Sequence, residues 1–518
     1  MTVLHKKLAE SLDILRTLQN RGVAAIRSVD LSRTHRERLI KNGFLREVMK
    51  GWYIPVQPDD ASGDSTAWYT SFWSFCAAYL ERRFGANWSL SPEQSLLLHA
   101  GNRTVPHQLL VRSPKARNRV TGLPYETSML DMRAALPGND QVAVKDSLRL
   151  FSLPAALVSC GPGFFLQNPT DACAALAMVR DASDLLALLL EGGRTTVAGR
   201  LAGGFRRIGR DGIAEEIMKT MRAAGFDIRE KDPFADTVNL IPPARNQSPY
   251  VNRICLMWTR MREPILKLFP VAPGRPADVA AYLKAADGLS ITDAYHSLSI
   301  EGYRVSPELI ERVRSGQWNP DENKDDRERR NALNARGYWQ AWQAVRESAR
   351  KVLEGENPGD VSDHDHRGWY REMFGPSVAA GLLRPVDLAG YRNGQVYIRR
   401  SMHVPPRCEA VRDCMPALFD LLRQEPEPSV RVVLGHFVFV YIHPYMDGNG
   451  RIGRFLMNVM LAAGGYPWTV IPVEKRSEYM DALECGSVKQ DIAPFADFLG
   501  RLVSEAIESI EGRAKIKI

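Results

Sequence analysis

One histidine, one aspartate, one asparagine, three glycines and two arginines fall within twelve residues, HPYMDGNGRIGR, His443 to Arg454. The side chains supply a base with an intrinsic pKa near 6.5, a carboxylate and two permanent cations. The glycines let a ligand approach the backbone without obstruction. A polyphosphate fits this set. Arg451 and Arg454 are three apart, so they lie on neighbouring faces of a helix. Asp447 would repel a bare phosphate, but it suits Mg²⁺, which combines one or two carboxylates with waters and phosphate oxygens. His443 is then the available general base. The implied reaction is deprotonation of a hydroxyl that attacks a metal-bound phosphate.

The flanking residues position this chemistry. The apolar run VVLGHFVFVYI ends at Ile442 and reads as a buried helix. Pro444 and Gly448 break it, leaving His443 at or just past its end. A second helix starts near Arg451, so DGNG is a glycine-rich turn into a helix amino terminus, where free N–H groups and the positive dipole end favour an anion. A histidine between apolar residues is usually structural, and DGNG alone could be a calcium-type turn. Neither reading explains the two arginines beside His443 and Asp447, and the EF-hand acidic spacing is absent.

The stretch resembles the Fic family motif H-x-F-x-[DE]-G-N-G-R-x-x-R, departing only at Tyr445, where the family has phenylalanine; tyrosine can fill that slot if its hydroxyl finds a partner. The resemblance covers roughly the last half of the chain and implies transfer of AMP from ATP to a Ser, Thr or Tyr hydroxyl of a target protein. It makes His443 the catalytic base and Asp447 the Mg²⁺ ligand. Gly448, Asn449 and Gly450 become the anion hole around the α-phosphate, and Arg451 and Arg454 the contacts of the β- and γ-phosphates. Doc-type kinases resemble Fic proteins but replace the last glycine of the anion hole and lose the second arginine. Gly450 and Arg454 therefore favour adenylyl over phosphoryl transfer.

Two neighbouring segments extend the resemblance. YRNGQVYIRRSMHVPP, Tyr391 to Pro406, reads as a β-hairpin turning at Asn393-Gly394 and resembles the Fic flap, with Ile398, Arg399, Arg400 and Ser401 at its nucleotide- and target-facing end. EKRSEYMDALECGS resembles the adenine-side region, with Tyr479 as the stacking candidate and Ser487 where many relatives have asparagine. SLSIEG, Ser297 to Gly302, matches the inhibitory motif [ST]-x-x-x-E-[GN]. Ser297 and Glu301 share a helical face, Ser290 or Thr292 can cap the helix, and Gly302 can stop it. A carboxylate there can pair bidentately with Arg454, withholding it from the γ-phosphate.

Residues 1–60 carry a different signal. The chain's net charge is +8, and residues 1–55 hold eleven Lys/Arg against five Asp/Glu. The pattern predicts three helices and a hairpin, a winged helix-turn-helix, with Ser32 capping RTHRERLIKNG and Gly43 stopping it. Arg33, Thr34, Arg36, Arg38 and Lys41 would face a major groove, and Arg46 and Lys50 would meet phosphates from the wing. RERLIKNGFLREVMKGWYIP resembles the amino-terminal domain of AbiEi-type antitoxin regulators. Residues 61–235 read as a mixed α/β middle domain of AbiEi-like character without a catalytic constellation. Residues 236–270 are a linker and lead-in, with Lys231 to Tyr250 the linker proper. Residues 271–518 form an all-α Fic domain carrying the hairpin flap, with the inhibitory helix near 292–302.

The expected fold class is thus mainly α with a minor β part. Seven cysteines without a C-x-x-C pair point to reduced thiols in a cytoplasm, and no apolar run is long enough for a membrane span. The expected partners are ATP, Mg²⁺ and a target protein; duplex DNA and a second copy of the chain are further candidates. Competing readings are a nucleotide-sensing transcriptional regulator or antitoxin-like protein, and an enzyme that removes AMP with Glu301 positioning water.

Overall fold

The computed structural model describes residues 3–23, 25–56, 58, 64–234, 248–317 and 329–516. The chain divides into two compact units: Met1–Arg253 with Tyr397–Val404, and Ile254–Val396 with Pro405–Ile518. Most of the expected linker, residues 235–247, lies outside the described residues, and Pro249–Leu268 is helical.

The first unit begins with α1 (Val3–Asn20) and α2 (Arg33–Lys41), followed by β2 (Leu45–Met49) and β3 (Trp52–Pro55). Ser32 caps α2 by accepting the His35 N–H, as expected, and Gly43 turns with positive φ. The expected middle helix is not formed. Ile26–Arg27 is instead a short strand, β1, paired antiparallel with β3 in the order β1-β3-β2. A β-branched residue this close to the turn at Gly22 gains more by pairing with Tyr53 than from one turn of helix. Leu15, Ile26, Leu31, Leu39, Leu45 and Tyr53 form the local core.

The remainder of this unit opens with α3 (Thr66–Phe84), which buries Trp68, Phe72 and Trp73. A four-stranded sheet follows, from β4 (Ser89–Leu90), β5 (Gln108–Ser113), β6 (Arg119–Gly122) and β7 (Ser128–Arg133), in the order β4-β5-β7-β6 with β5 and β7 parallel. A hairpin of β8 (Val142–Lys145) and β9 (Leu148–Phe151) leads into helices running from Leu153 to Ala223.

The second unit is helical. Its centre is α4 (Ser290–Ile300), α5 (Arg329–Leu353), α6 (Pro358–Ala379), α7 (Pro428–Ile442) and α8 (Asn449–Gly464). α5 packs on α6, α7 on α8, and α8 also lies against α5. α7 is apolar on all sides, as a helix enclosed by others must be, and α8 is buried along nearly its whole length.

The flap is not a hairpin. No strand occurs between Tyr391 and Pro406. Pro405 and Pro406 have no N–H to offer a ladder. The Arg392 guanidinium instead donates to the carbonyls of Gly394 (3.0 Å) and Pro406. Among the described residues, no helix is long and apolar enough to cross a membrane, and all seven cysteines are free.

Candidate active site

α7 ends at Ile442, and His443 follows in the left-handed conformation (φ 53°, ψ 61°). A non-glycine residue there is strained and must be held by its surroundings. Buried Arg392 holds it: Nε donates to the His443 carbonyl (2.8 Å), and the Arg392 N–H donates to the Pro444 carbonyl (2.9 Å). A cation at the carbonyl end of a helix also complements its dipole. In the sequence Arg392 is simply the residue before the expected Asn393-Gly394 turn. Its hold on His443 is not legible in the sequence because that carbonyl lies 51 residues away.

His443 Nδ1 lies 3.1 Å from the Val440 carbonyl. A carbonyl can only accept, so in the neutral ring Nδ1 carries the proton and Nε2 presents its lone pair. Burial pushes the imidazole down to about 4, against an upward pull from the Val440 carbonyl and the Glu301 and Asp447 carboxylates; the Arg392 cation adds to the lowering. The ring is therefore a neutral base at neutral pH.

The turn from Pro444 to Gly448 is clasped by Asn449. Its Oδ1 accepts the Tyr445 N–H (2.8 Å) and its Nδ2 donates to the Tyr445 carbonyl (2.9 Å). The Asn449 side chain thus braces the loop, and what it can offer an anion is its backbone N–H. Gly448 caps α8 with φ +82°, and an added Cβ there would press into the Phe374 ring. The first N–H groups of α8 have no carbonyl within their own helix, which makes the Gly448–Gly450 turn suited to an anion.

Arg451 is fully buried between the Tyr303 and Phe374 rings, each 5.1 Å away. Nη1 donates to Asn334 Oδ1 (3.1 Å). Nη2 lies 3.2 Å from Asp447 Oδ2 but is not aligned to donate, and neither Nε nor Nη2 has a hydrogen-bond partner among the described residues. The Asp447 side chain is 62% exposed, and its other oxygen accepts the Gly448 N–H (2.6 Å). One solvent-facing carboxylate beside unsatisfied guanidinium donors fits Mg²⁺ carried in with a phosphate, since Mg²⁺ keeps most of its waters.

Arg454, also buried, reaches α4. Nε donates to Ser297 Oγ (2.9 Å), and Nη2 to the Ser297 carbonyl (3.0 Å) and Glu301 Oε1 (2.8 Å). The Glu301 contact is single rather than bidentate, and Arg454 Nη1 has no hydrogen-bond partner among the described residues. Burial works against the Arg454 charge, but Glu301, together with Tyr479 and Tyr338, more than offsets it. The α4 N-cap is Leu289; Ser290 Oγ donates to the Asp287 carbonyl instead of capping, and Gly302 stops the helix with φ +88°. Asp293, buried on α4, accepts from the Tyr338 hydroxyl (2.8 Å), and burial raises it to about 6.

Three expectations change. Tyr445 stacks on Tyr370 (centroids 4.0 Å apart), but its buried hydroxyl has no partner among the described residues, so the ring alone fills the slot. Tyr479 is 1% exposed, packs near Phe495 and Phe498, and its hydroxyl meets His436 Nε2 (2.8 Å). It is a core residue rather than an open platform for a base. Ser487 is buried in the wide turn Cys485–Lys489. Ile398, Arg399, Arg400 and Ser401 belong to the first unit, where Arg399 pairs with Asp64 (2.9 Å) instead of facing a nucleotide.

The basic amino-terminal residues divide in the same way. Arg36 donates to the Ser28 carbonyl (2.9 Å), Arg38 to the Lys7 carbonyl (2.7 Å) and Ser11, and Arg46 to the Tyr125 hydroxyl (2.7 Å) and Asp64 carbonyl. These three brace the fold, a correction to their reading as free base or phosphate contacts. Arg33 pairs with its neighbour Glu37 on an exposed face, and Thr34, Lys41 and Lys50 are exposed.

Residues 363–461 match the Fic/DOC family. This Fic segment holds α7, the glycine turn and most of α8. The chain is 38% identical over 133 residues to the protein adenylyltransferase Fic of Nematostella vectensis, covering 25% of this chain and 30% of that protein. It is 31% identical over 137 residues to the protein adenylyltransferase fic-1 of Caenorhabditis elegans, covering 26% and 27%. The chain thus spans less than a third of these curated relatives. A solved structure of Fic-1 from C. elegans superposes on 68% of this chain and 93% of its own at 19% identity, with a TM-score of 0.39, too loose to carry an argument.

Proposed function

We propose that this chain is a protein adenylyltransferase that moves AMP from ATP to a Ser, Thr or Tyr hydroxyl of a target protein, with its activity held down by Glu301. The observation that carries the reading is the His443 site: a neutral imidazole with Nε2 open, one turn from a helix amino terminus flanked by two buried arginines. His443 Nε2 takes the proton of the acceptor hydroxyl. The hydroxyl oxygen bonds to the α-phosphorus, the α–β bridge breaks, and pyrophosphate leaves. The N–H groups of Asn449 and Gly450 meet the charge that grows on the α-phosphate oxygens. Arg451 and Arg454 hold the β- and γ-phosphates. Asp447 would hold Mg²⁺, which neutralises phosphate charge when bound. The names of the curated relatives support this reading, and so does Gly450, where a larger residue would crowd the turn.

Glu301 supports regulation. Its carboxylate engages Arg454, and an added Cβ at Gly450 would overlap a Glu301 oxygen. The carboxylate therefore lies over the glycine turn as well as against the arginine. A triphosphate that uses Arg454 in full must displace it. The decisive experiment is incubation of the full chain, wild type and Glu301→Gly, with Mg²⁺ and ATP labelled at the α-phosphate. Protein-bound label is expected, and label from the γ-phosphate should not be retained. No α-label on any protein from either form would overturn the reading.

For residues 1–60 we infer a winged-helix module that binds duplex DNA, on the basis of its basic charge, the helix α2 and the three-stranded sheet. Arg33, Thr34 and Lys41 on α2 and Lys50 at the turn of the wing are the available contacts. Binding should weaken steeply as salt rises, because each phosphate contact releases a counterion. Lys41→Ala and Lys50→Ala should each lower the salt slope by about one. A gel shift that finds no duplex binding at low salt leaves the module a role in protein contacts.

A further inference from the structure

The flap is covalently part of the Fic segment, yet Tyr397–Val404 belongs to the first unit. Its anchor there is Asp64, whose side chain is 1% exposed. Three donors converge on that carboxylate: the Thr66 N–H (2.9 Å) and Thr66 hydroxyl (2.5 Å) on Oδ1, and Arg399 Nε (2.9 Å) on Oδ2. Burial alone would raise the carboxyl's pKa. The Thr66 bonds and the Arg399 cation outweigh burial and lower it to about 2, so Asp64 is held as an anion. The Asp64 carbonyl is fixed too, accepting from Arg46 Nη1 (3.1 Å) and the Tyr125 hydroxyl (2.7 Å).

A second tether falls on the next flap residue. Arg400 has φ +60°, a left-handed conformation that a non-glycine side chain resists, and its N–H donates to Thr66 Oγ1 (3.0 Å). A third is the Val105 N–H donating to the Met402 carbonyl (2.9 Å). Such strain persists only where the surroundings over-determine it. The flap has no ladder of its own, so these tethers supply the order that a hairpin would have had.

We infer that Asp64 and Thr66 are positioning residues, which set the conformation of the flap and so the presentation of an acceptor hydroxyl beside it. This rests on the adenylyltransferase reading. Asp64 and Thr66 thereby act on catalysis through the flap, independently of Glu301.

Two measurements on the full chain test this. The first is limited trypsin digestion, followed by mass spectrometry of cleavage after Arg400. Arg399→Ala and Thr66→Val should each speed that cut by about tenfold, the scale of losing a charge-assisted or buried hydrogen bond, with the thermal midpoint unmoved. Arg399→Lys, which keeps a cation against Asp64, should restore most of the protection. Equal cleavage rates in wild type, Arg399→Ala and Thr66→Val would overturn the tethering. The second is self-modification by α-labelled ATP in the Glu301→Gly background. Adding Arg399→Ala should lower the rate about tenfold, leave ATP affinity unchanged, and be rescued by lysine. An unchanged or faster rate would overturn the positioning role. If Glu301→Gly itself transfers no label, the adenylyltransferase reading fails and the positioning role with it, while the digestion still decides whether Asp64 and Thr66 hold the flap.

Discussion

His443→Ala, made in the Glu301→Gly background so that there is activity to lose, is expected to lower AMP transfer by about 10²–10⁴-fold, the usual contribution of a positioned general base. ATP affinity should change little, because the phosphate contacts come from the α8 amino terminus, Arg451 and Arg454. The pH profile carries independent information. With the imidazole pushed down to about 4 by burial, the base is neutral throughout the neutral range. Protonation removes it only as pH falls toward that value. The acid limb of kcat/KM, which reports the free enzyme, should therefore lie well below the 6.5 of a solvated histidine. Wild-type transfer by the alanine variant excludes His443 as the base, whereas an acid limb at 6.5 would show that burial does not lower the imidazole.

Glu301→Gly should raise self-modification and target modification by about 10- to 100-fold, the range set by one charge-assisted hydrogen bond in a buried site. Arg454 Nε donates to Ser297 Oγ, and Nη2 donates to the Ser297 carbonyl and to Glu301. Removing the carboxylate frees one N–H of Nη2 and clears the space over Gly450, while the Ser297 contacts keep the guanidinium in place. The effect should fall mainly on kcat, since the change concerns how the triphosphate settles more than whether it binds. Arg454→Ala should not imitate it, because that change removes the phosphate contact along with the inhibitory one. Equal rates for wild type and Glu301→Gly at saturating ATP would remove Glu301 from regulation and leave the catalytic site standing.

Local pattern was legible where the causes are local. The break at Pro444 and Gly448, the glycine turn and the apolar runs locate His443 at the end of one helix and Arg451 in the next, because helix termination and amphipathic burial depend on neighbours within a few residues. The i, i+4 spacing of Ser297 and Glu301 was readable for the same reason, and so were the Ser32 cap and the Gly43 stop. Error entered where a long-range partner outweighed a local preference. Asn393-Gly394 is a strong hairpin signal, yet Arg392 takes the flap carbonyls and the flap tip is tied to Asp64. Ile26 and Arg27 joined a sheet because β3, from beyond α2, lay within reach.

What the sequence determined by itself is the chemical inventory: a base, a carboxylate, a glycine turn and two arginines at one helix junction, with a glutamate spaced to oppose them. Only the tertiary structure decided how each group is used. It placed Glu301 on Arg454 from 153 positions away and the Val440 carbonyl on Nδ1 of His443. It buried Tyr479 and turned the guanidinium groups of Arg36 and Arg38 to acceptors within the fold. The physical reason is that a side chain's type and spacing fix what it can bond, whereas its protonation state, exposure and availability depend on which distant polar groups and apolar surfaces the fold brings against it.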